Sequence, residues 1–538
     1  MKELPEWIEK RPIIVSLCLR LSPPKLGDNA ADLDRLVRRL KNDGFSPLEI
    51  HGPLIGKFAG NVRAYGYNVK IILGYKGNHW ELLDVLPISS QSPVIGCAVD
   101  LGSSSLAFYL IDLEQGTIIQ RKSVRNPQIA YGEDILTRII SAREPRNLEL
   151  LRKLLVDTII ETLEEMTKRQ GLSSGKIYAL DVAGNTTMTH FFLGLDPSNI
   201  CKEPYIPVAN RFPFFHGQQL DLNIHPRALV YVFPNVGSYF GGDLIAGIVA
   251  TGMYRTDELS ILVDVGTNAE VVLGNREWLI ACAGAAGPAL EGGVVAKGMM
   301  AAPGAIDRVR INPDTLELTY RVIGNTRPKG LCGSGLIDLV AEMFMAGLLT
   351  VQGKINTAIR CPRIVETEDG PGFIVAFADE TEDREDLIVS EIDISILLKS
   401  KAAMYTIFNV ICNKVGVSLH NDIKRFYVAG AFGNHIDPKM AIRIGMLPDL
   451  PLEIFHGVGN AAGMGAALLL MDRSLLRDVE DVCNRITYVE LNVNMELMNE
   501  FRAATFLPHT DTSLFPSVKI PKRALGGQPD ETHQSAAC

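Results

Sequence analysis

The sequence predicts an α/β protein built on a duplicated strand–turn–strand unit, with a small α+β module in front of it. Three observations predict this. Residues 94–112 and 261–274 each read as a β-branched strand, an Asp at the strand end, a Gly-plus-hydroxyl turn and a second alternating strand running back antiparallel. The chain has 538 residues, 47% of them apolar, which is too much for one core and implies a small number of domains. Residues 46–86 hold a helix-like stretch and two strand-like stretches, and Ser89, Ser90, Gln91, Ser92 and Pro93 then read as a linker.

The two hairpins carry the chemistry. In the first, Asp100 precedes Gly102, Ser103, Ser104 and Ser105; in the second, Asp264 precedes Gly266, Thr267 and Asn268. A glycine lets backbone N–H groups approach phosphate oxygens, hydroxyls add donors, and one carboxylate can hold a hydrated Mg²⁺. A single copy is ordinary turn chemistry. Two copies point to a phosphate gripped twice.

Composition excludes several classes. A formal net charge of −9, with no basic stripe interleaved with aromatics, argues against a nucleic-acid partner. Nine cysteines include no pair at metal-ligand spacing, so no zinc or ferredoxin signature exists and no iron–sulfur cluster is expected in this chain. The first residues are acidic and contain Pro, unlike a secretory signal, and the apolar run 461–471 is short and holds glycine. No membrane span and a cytoplasmic location are expected.

In chain order, strand 12–21 is stopped by Pro23 and Pro24, and Asp28 or Asn29 can cap the amphipathic helix 30–40. A helix at 47–58 and strands at 68–73 and 79–86 follow. After the first hairpin, residues 126–134 form a turn feeding a helix, and a longer helix covers 147–170. Strand 176–183 ends in Gly184, Asn185 and Thr186, which open a helix; this is either an anion site or a plain Asn185 cap. His190, beside Phe191 and Phe192, reads as packed. The Gly-rich segment 234–247 opens a helix with Asp243 in its first turn, where capping alone favours an acid.

The small-residue run 281–300 implies close approach of backbone to a ligand or partner. Gly333, Ser334 and Gly335 form a tight entry into a helix whose amides suit a nucleotide. Helix 393–413 leads to strand 425–428 and the turn Gly430, Ala431, Phe432 and Gly433. Gly457, Gly459, Gly463 and Gly465 open the last major helix, suited to close packing, a hinge or ligand contact. The expected division is a linker-like segment 1–42, a module 43–92, a first lobe 93–258, a second lobe with closing helix 259–515, and a disordered tail 516–538.

The order of phosphate hairpin, acidic helix, second hairpin and glycine turn resembles the actin-like ATPase superfamily, a two-lobed, ribonuclease H-like duplicated α/β fold. The wording is closer to one branch. Pro23, Pro24, Leu26, Asp28, Asn29, Ala31 and Asp32, the run 126–134, Gly184 to Thr186 with residues 193–197, the run 285–293 and the run 459–463 resemble the reductive activators of corrinoid-dependent enzymes. The resemblance covers roughly residues 12–510. It implies an ATPase, dimeric in its usual members, that drives one-electron reduction of Co(II) to Co(I) on a partner corrinoid protein of a methyl-transfer system. The family's usual iron–sulfur domain has no counterpart in these cysteines, so a separate ferredoxin or flavoprotein is the expected electron donor.

By the same resemblance, ATP and Mg²⁺ lie between the lobes. Gly102, Ser103, Ser104, Ser105, Gly266, Thr267 and Asn268 grip phosphates, Asp100 and Asp264 hold metal-bound water, and Asp243 orients the attacking water. Gly333, Ser334 and Gly335, with Gly430, Ala431, Phe432 and Gly433, take the nucleoside side, and the run 284–300 is the loop that lobe closure shifts against the partner. Two other functions remain compatible with these residues: a small-molecule kinase of the same fold, and a nucleotide-switched scaffold or chaperone without a redox role.

Overall fold

The computed structural model describes residues 5–266, 268–285, 295–489 and 495–525. The chain divides after Gly252, Gly459 and Ile486 into two units, so that residues 460–486 return to the first.

In the first unit the main sheet runs in the order Thr117–Arg125, Ser105–Asp112, Ile95–Leu101, Ile177–Gly184, Leu229–Val232 and Phe215–His216. Ile95–Leu101 is antiparallel to Ser105–Asp112 and parallel to Ile177–Gly184, which is parallel to Leu229–Val232. The parallel strands are almost wholly apolar because both faces are covered. Leu151, Leu155, Ile159 and Leu163 of helix Pro145–Arg169 pack on Cys97, Val99, Leu180 and Val182. Helices Gly242–Thr251 and Ala461–Met471 cover the other face.

The second unit repeats this core. Its sheet runs Phe455–Gly459, Arg425–Ala429, Ser260–Val265, Asn268–Gly274, Leu279–Ala285 and Ile486–Tyr488. Ser260–Val265 is again antiparallel to the strand after its turn and parallel to the strand on its other side. Helix Glu391–Lys414, the one helix among the described residues long and apolar enough to cross a membrane, is 72% buried over its apolar window within the protein. Residues 506–508 are fastened to it by the buried Lys401, whose Nζ donates to Phe506 O at 2.5 Å and Pro508 O at 2.7 Å.

The front module is a four-stranded sheet, Ile14–Arg20, Asn68–Tyr75, Trp80–Pro87 and Leu48–Glu49, under helices Asp32–Asn42 and Gly52–Ala64. Because Ile14–Arg20 is a strand of this sheet, a division at residue 42 does not hold. Residues 48 and 49 pair with Trp80 and Glu81, so the second helix starts at Gly52, with Pro53 in the first turn where no N–H is needed. The first helix starts at Asp32 without a side-chain cap from Asp28 or Asn29. Asp32 instead accepts from Arg63 Nε at 2.7 Å and Tyr67 Oη at 2.8 Å, tying the two helices together.

Two further expectations are corrected. The closing helix packs on the sheet and helix of the first unit, and not within the second. Residues 516–525, read as tail, are placed: Ser517 N and Oγ donate to Asp449 at 2.7 and 2.8 Å, and Ala524 is buried. Residues 526–538 lie outside the described residues.

The module is latched to the rest of its unit by Glu81, which is fully buried. His216 Nε2 lies 2.9 Å from its Oε1, Arg227 Nη2 donates at 2.8 Å, and Lys76 Nζ stands at 3.4 Å. Burial opposes the charge, but the hydrogen bond and charge of His216, the hydrogen bond from Arg227 and the charge of Lys76 outweigh it and hold the carboxyl at about 2. Its folded pKa is depressed, so its contribution is complete above the ordinary carboxylate range and is lost only as the pH falls towards 2. Glu81→Ala, which strands these cations, is expected to cost about 3 kcal/mol in urea unfolding at neutral pH.

Candidate functional site

In the first unit the predicted turn is tied down from behind. Gly102 is required, since a Cβ there would stand 2.4 Å from Ser105 O. Asn126 Nδ2 donates to Gly102 O at 2.9 Å, Arg138 Nη1 to Ser103 O at 2.7 Å, and Asn126 N to Ser104 O at 3.0 Å. All three carbonyls are thus engaged, while the amides of Ser103 and Ser104 have no acceptor among the described residues. Ser104 and Ser105 are exposed. Such a turn offers N–H donors to an anion.

Asp100 stands opposite Ala183 near the carboxyl ends of the parallel strands, where open α/β sheets bind ligands. Asn460 Nδ2 donates to Asp100 Oδ2 at 2.6 Å, and Asn460 Oδ1 accepts from Gly463 N at 2.6 Å, capping helix Ala461–Met471. One residue therefore both starts the helix and orients the carboxylate.

Asp243 lies in the first turn of helix Gly242–Thr251, as its position predicts, and its Oδ1 accepts from Leu244 N at 2.8 Å. A Cβ on Gly241 would stand 2.3 Å from Asn185 Cα, 2.6 Å from Gly184 O and 2.6 Å from Asp243 Oδ1, so these residues converge at the same end of the sheet as Asp100. Asn185 forms the expected cap: its Oδ1 accepts from Met188 N at 2.9 Å. His190 is fully buried, with Nδ1 against Thr186 O at 2.7 Å.

In the second unit Asp264 faces Ala429 across parallel strands. A Cβ on Gly430 would stand 2.7 Å from Val265 O and 3.1 Å from Asp264 Oδ1, and Gly430 has φ +82°. The glycine turn and the second Asp are therefore neighbours. Burial pushes the Asp264 carboxyl up to about 6 against a hydrogen bond from the Val265 backbone. Gly266 follows its strand, Thr267 lies outside the described residues, and Asn268 opens the return strand.

The remaining predicted residues are placed differently. Gly430, Ala431, Phe432 and Gly433 form a helix, Gly430–His435, and Gly433 lies against its own strand, where a Cβ would be 2.1 Å from Val428 O. Ser334 is buried, and a Cβ on Gly335 would be 2.1 Å from Ile306 O, so this helix entry is closely packed on strand Ala305–Ile311. Most of the run 285–293 falls outside the described residues. The glycines of the closing helix serve packing: a Cβ on Gly465 would stand 1.9 Å from Ala246 O and one on Gly463 would stand 2.3 Å from Tyr109 Cε2.

Sequence reasoning did not assign Asn460, Asn126 and Arg138 to the site. The signal in the sequence was the run 126–134, whose first residue reads only as a turn former. Two other features stand apart from it. His51, Glu81 and His216 offer ligand atoms within 4.8 Å of one another, yet Arg227 and Lys76 already neutralise Glu81, which marks the cluster as a latch and not a metal centre. A cavity of about 300 Å³ lined by Phe212, Phe214, Tyr231 and Leu476 contains none of the predicted site residues.

The raised Asp264 makes a signed prediction. With a folded pKa near 6 and an ordinary unfolded one, the folded chain binds more protons between about pH 4 and 6, so this group costs stability as the pH rises through that window. Asp264→Asn is expected to melt about 3 °C above the parent at pH 7.5 without ligand, with the gap closing near pH 4, in thermal scans across pH.

The chain has clear relatives among known proteins. Residues 95–256 match the family model of the RACo middle region, and residues 258–519 match that of the C-terminal domain of RACo, the ASKHA domain. A protein of Eubacterium limosum named corrinoid activation enzyme RamQ is 31% identical over 79% of this chain and 72% of its own. A Methanosarcina barkeri protein named [Co(II) methylated amine-specific corrinoid protein] reductase is 24% identical over 76% of this chain and 75% of its own. A solved structure of a reductive activator for corrinoid, iron–sulfur protein aligns with a TM-score of 0.88 and 38% identity over 96% of this chain and 82% of that one. Two domain models in tandem, a relative matched over most of both lengths and a near-complete structural alignment place the chain in the RACo family of corrinoid reductive activators.

Proposed function

We propose that this protein is an ATPase that activates a partner corrinoid protein of a methyl-transfer system, coupling ATP hydrolysis to reduction of Co(II) to Co(I). The relatives named above as corrinoid activation enzyme and corrinoid protein reductase support the partner class. The observation that carries the ATP half is the 102–104 turn, with its carbonyls bound and the Ser103 and Ser104 amides open, next to an oriented Asp100. In the second unit Asp264 stands at the corresponding strand end, with Gly430 lying against it.

In this reading the amides and hydroxyls of Gly102, Ser103, Ser104 and Ser105 bind phosphate oxygens, with Gly266, Thr267 and Asn268 in the same role. Asp100 and Asp264, each in its own unit, would hold magnesium-bound water: the first carboxylate is held in place by Asn460, and the second is raised by burial, which a cation would reverse. Magnesium bound there supplies charge neutralisation on the phosphates. Asp243 orients a water whose oxygen attacks the γ-phosphorus as the bridging oxygen of ADP leaves. A separate ferredoxin or flavoprotein gives up one electron, and the cobalt gains it. Coupling requires that ATP and the corrinoid protein favour the same conformation of this chain, taken to act as a homodimer.

The test is anaerobic ATP hydrolysis with and without a Co(II)-state corrinoid protein from the same source, with an external low-potential donor and the cobalt spectrum followed together. Hydrolysis stimulated by that protein and the appearance of Co(I) are expected. Indifference of both signals would turn the assignment to a kinase or a nucleotide-switched scaffold. Asp264→Ala is expected to lower ATP turnover at least about a hundredfold with an unchanged circular dichroism spectrum.

A further inference from the structure

We infer that Arg138 is a positioning residue for the phosphate turn and that its buried charge is directed at the polyphosphate bound there; the inference rests on the nucleotide reading above. Arg138 lies on helix Ile135–Ser141 and is 0% exposed. Its guanidinium donates from Nε to Gly132 O at 2.7 Å, from Nη1 to Ser103 O at 2.7 Å and from Nη2 to Glu133 O at 3.1 Å. Every partner is a neutral carbonyl. Among the described residues no carboxylate forms an ion pair with it, and Asp134, the acid whose field reaches it, is engaged by Thr137 N and Oγ1 at 2.8 and 2.6 Å.

A buried charge without a counter-charge is an expensive way to hold three carbonyls, a task that a neutral amide could share. The arrangement makes physical sense when an anion completes it. Ser103 links the two: its carbonyl accepts from Arg138, and its amide and that of Ser104 are open on the turn. Fixing the carbonyl end of a peptide plane fixes the N–H end of the same plane, so the clamp formed by Arg138 and Asn126 aims the amides. A phosphate accepting those amides lies on the far side of the same peptide planes from the guanidinium, near enough for its charge to be felt. The same pair also accounts for the run 126–134. Asn126 Nδ2 holds Gly102 O, its Oδ1 accepts from Gln128 N at 2.9 Å, and the Gly132 and Glu133 carbonyls form the other side of the arginine's socket.

The experiment measures dissociation constants of ATP, ADP and adenosine for the full chain by calorimetry, with Arg138→Gln and Arg138→Lys. Arg138→Gln is expected to weaken ATP by about tenfold and adenosine by less than about twofold, and Arg138→Lys to recover most of the ATP preference, because charge and not shape sets it. Equal weakening of ATP and adenosine, or no change in either, overturns the inference while leaving the nucleotide reading intact. Failure of the parent chain to bind ATP removes the nucleotide reading itself. Should Arg138→Gln not fold, Asn126→Ser leaves the guanidinium in place and removes the donor to Gly102 O. Weaker ATP with unchanged adenosine supports the clamp, and unchanged ATP overturns it.

Discussion

Both units depend on one contact, the press of a glycine against the residue that follows an aspartate. In the first, a Cβ on Gly184 would stand 2.8 Å from Leu101 Cβ and 3.1 Å from Leu101 O; in the second, one on Gly430 would stand 2.7 Å from Val265 O. Leu101 follows Asp100 and Val265 follows Asp264; Gly184 ends the parallel strand next door, and Gly430 comes directly after its parallel strand and opens a helix. A side chain at either glycine would part the strands where they must be closest and carry the carboxylate away from its turn. The duplication is therefore a repeat of contacts as well as of strand order.

From that contact the first unit builds outward with small residues. Helix Ala461–Met471 lies on Gly242–Thr251 so closely that Gly465 meets the Ala246 carbonyl, which makes one block of the helix that starts at Asn460 and the helix that carries Asp243. Asp100 is oriented by the first and stands at the same sheet end as the second. Several groups here work against stability. Asp264 is held near 6 by burial, and Asp181, wholly buried on the central strand with neither oxygen hydrogen-bonded among the described residues, is pushed well above the ordinary range. Both carboxylates are made uncomfortable by burial alone.

What could be read from the sequence follows from range. Asp100, Gly102 and Asp264, Gly266 were legible because period-2 strands and an Asp–x–Gly turn are local patterns, and their recurrence gave the duplication. The run 126–134 was legible as a turn and opaque as a clamp: nothing in the spacing says that Arg138 is buried, since a helical arginine reads like any solvated one. Asn185 carried two readings that local chemistry could not separate. The helix after Gly459 was placed in the wrong unit because its glycines record that something lies close and not what. Residues 516–525 have the Pro and Lys content of a tail, yet Ala524 finds a buried site and Ser517 finds Asp449.

The return of residues 460–486 to the first unit sets an order of assembly during synthesis. Strands Ile95–Leu101 and Ile177–Gly184 leave the ribosome early, but the helix that covers one of their faces follows only after residues 253–459 have been made. Until then that face of the nascent first unit is covered by helix Gly242–Thr251 without its neighbour, and apolar surface left uncovered in this way lets partly made chains associate wrongly. Translation of residues 253–459 is thus a waiting period for the first unit, and strand Phe455–Gly459 delivers the covering helix directly behind it.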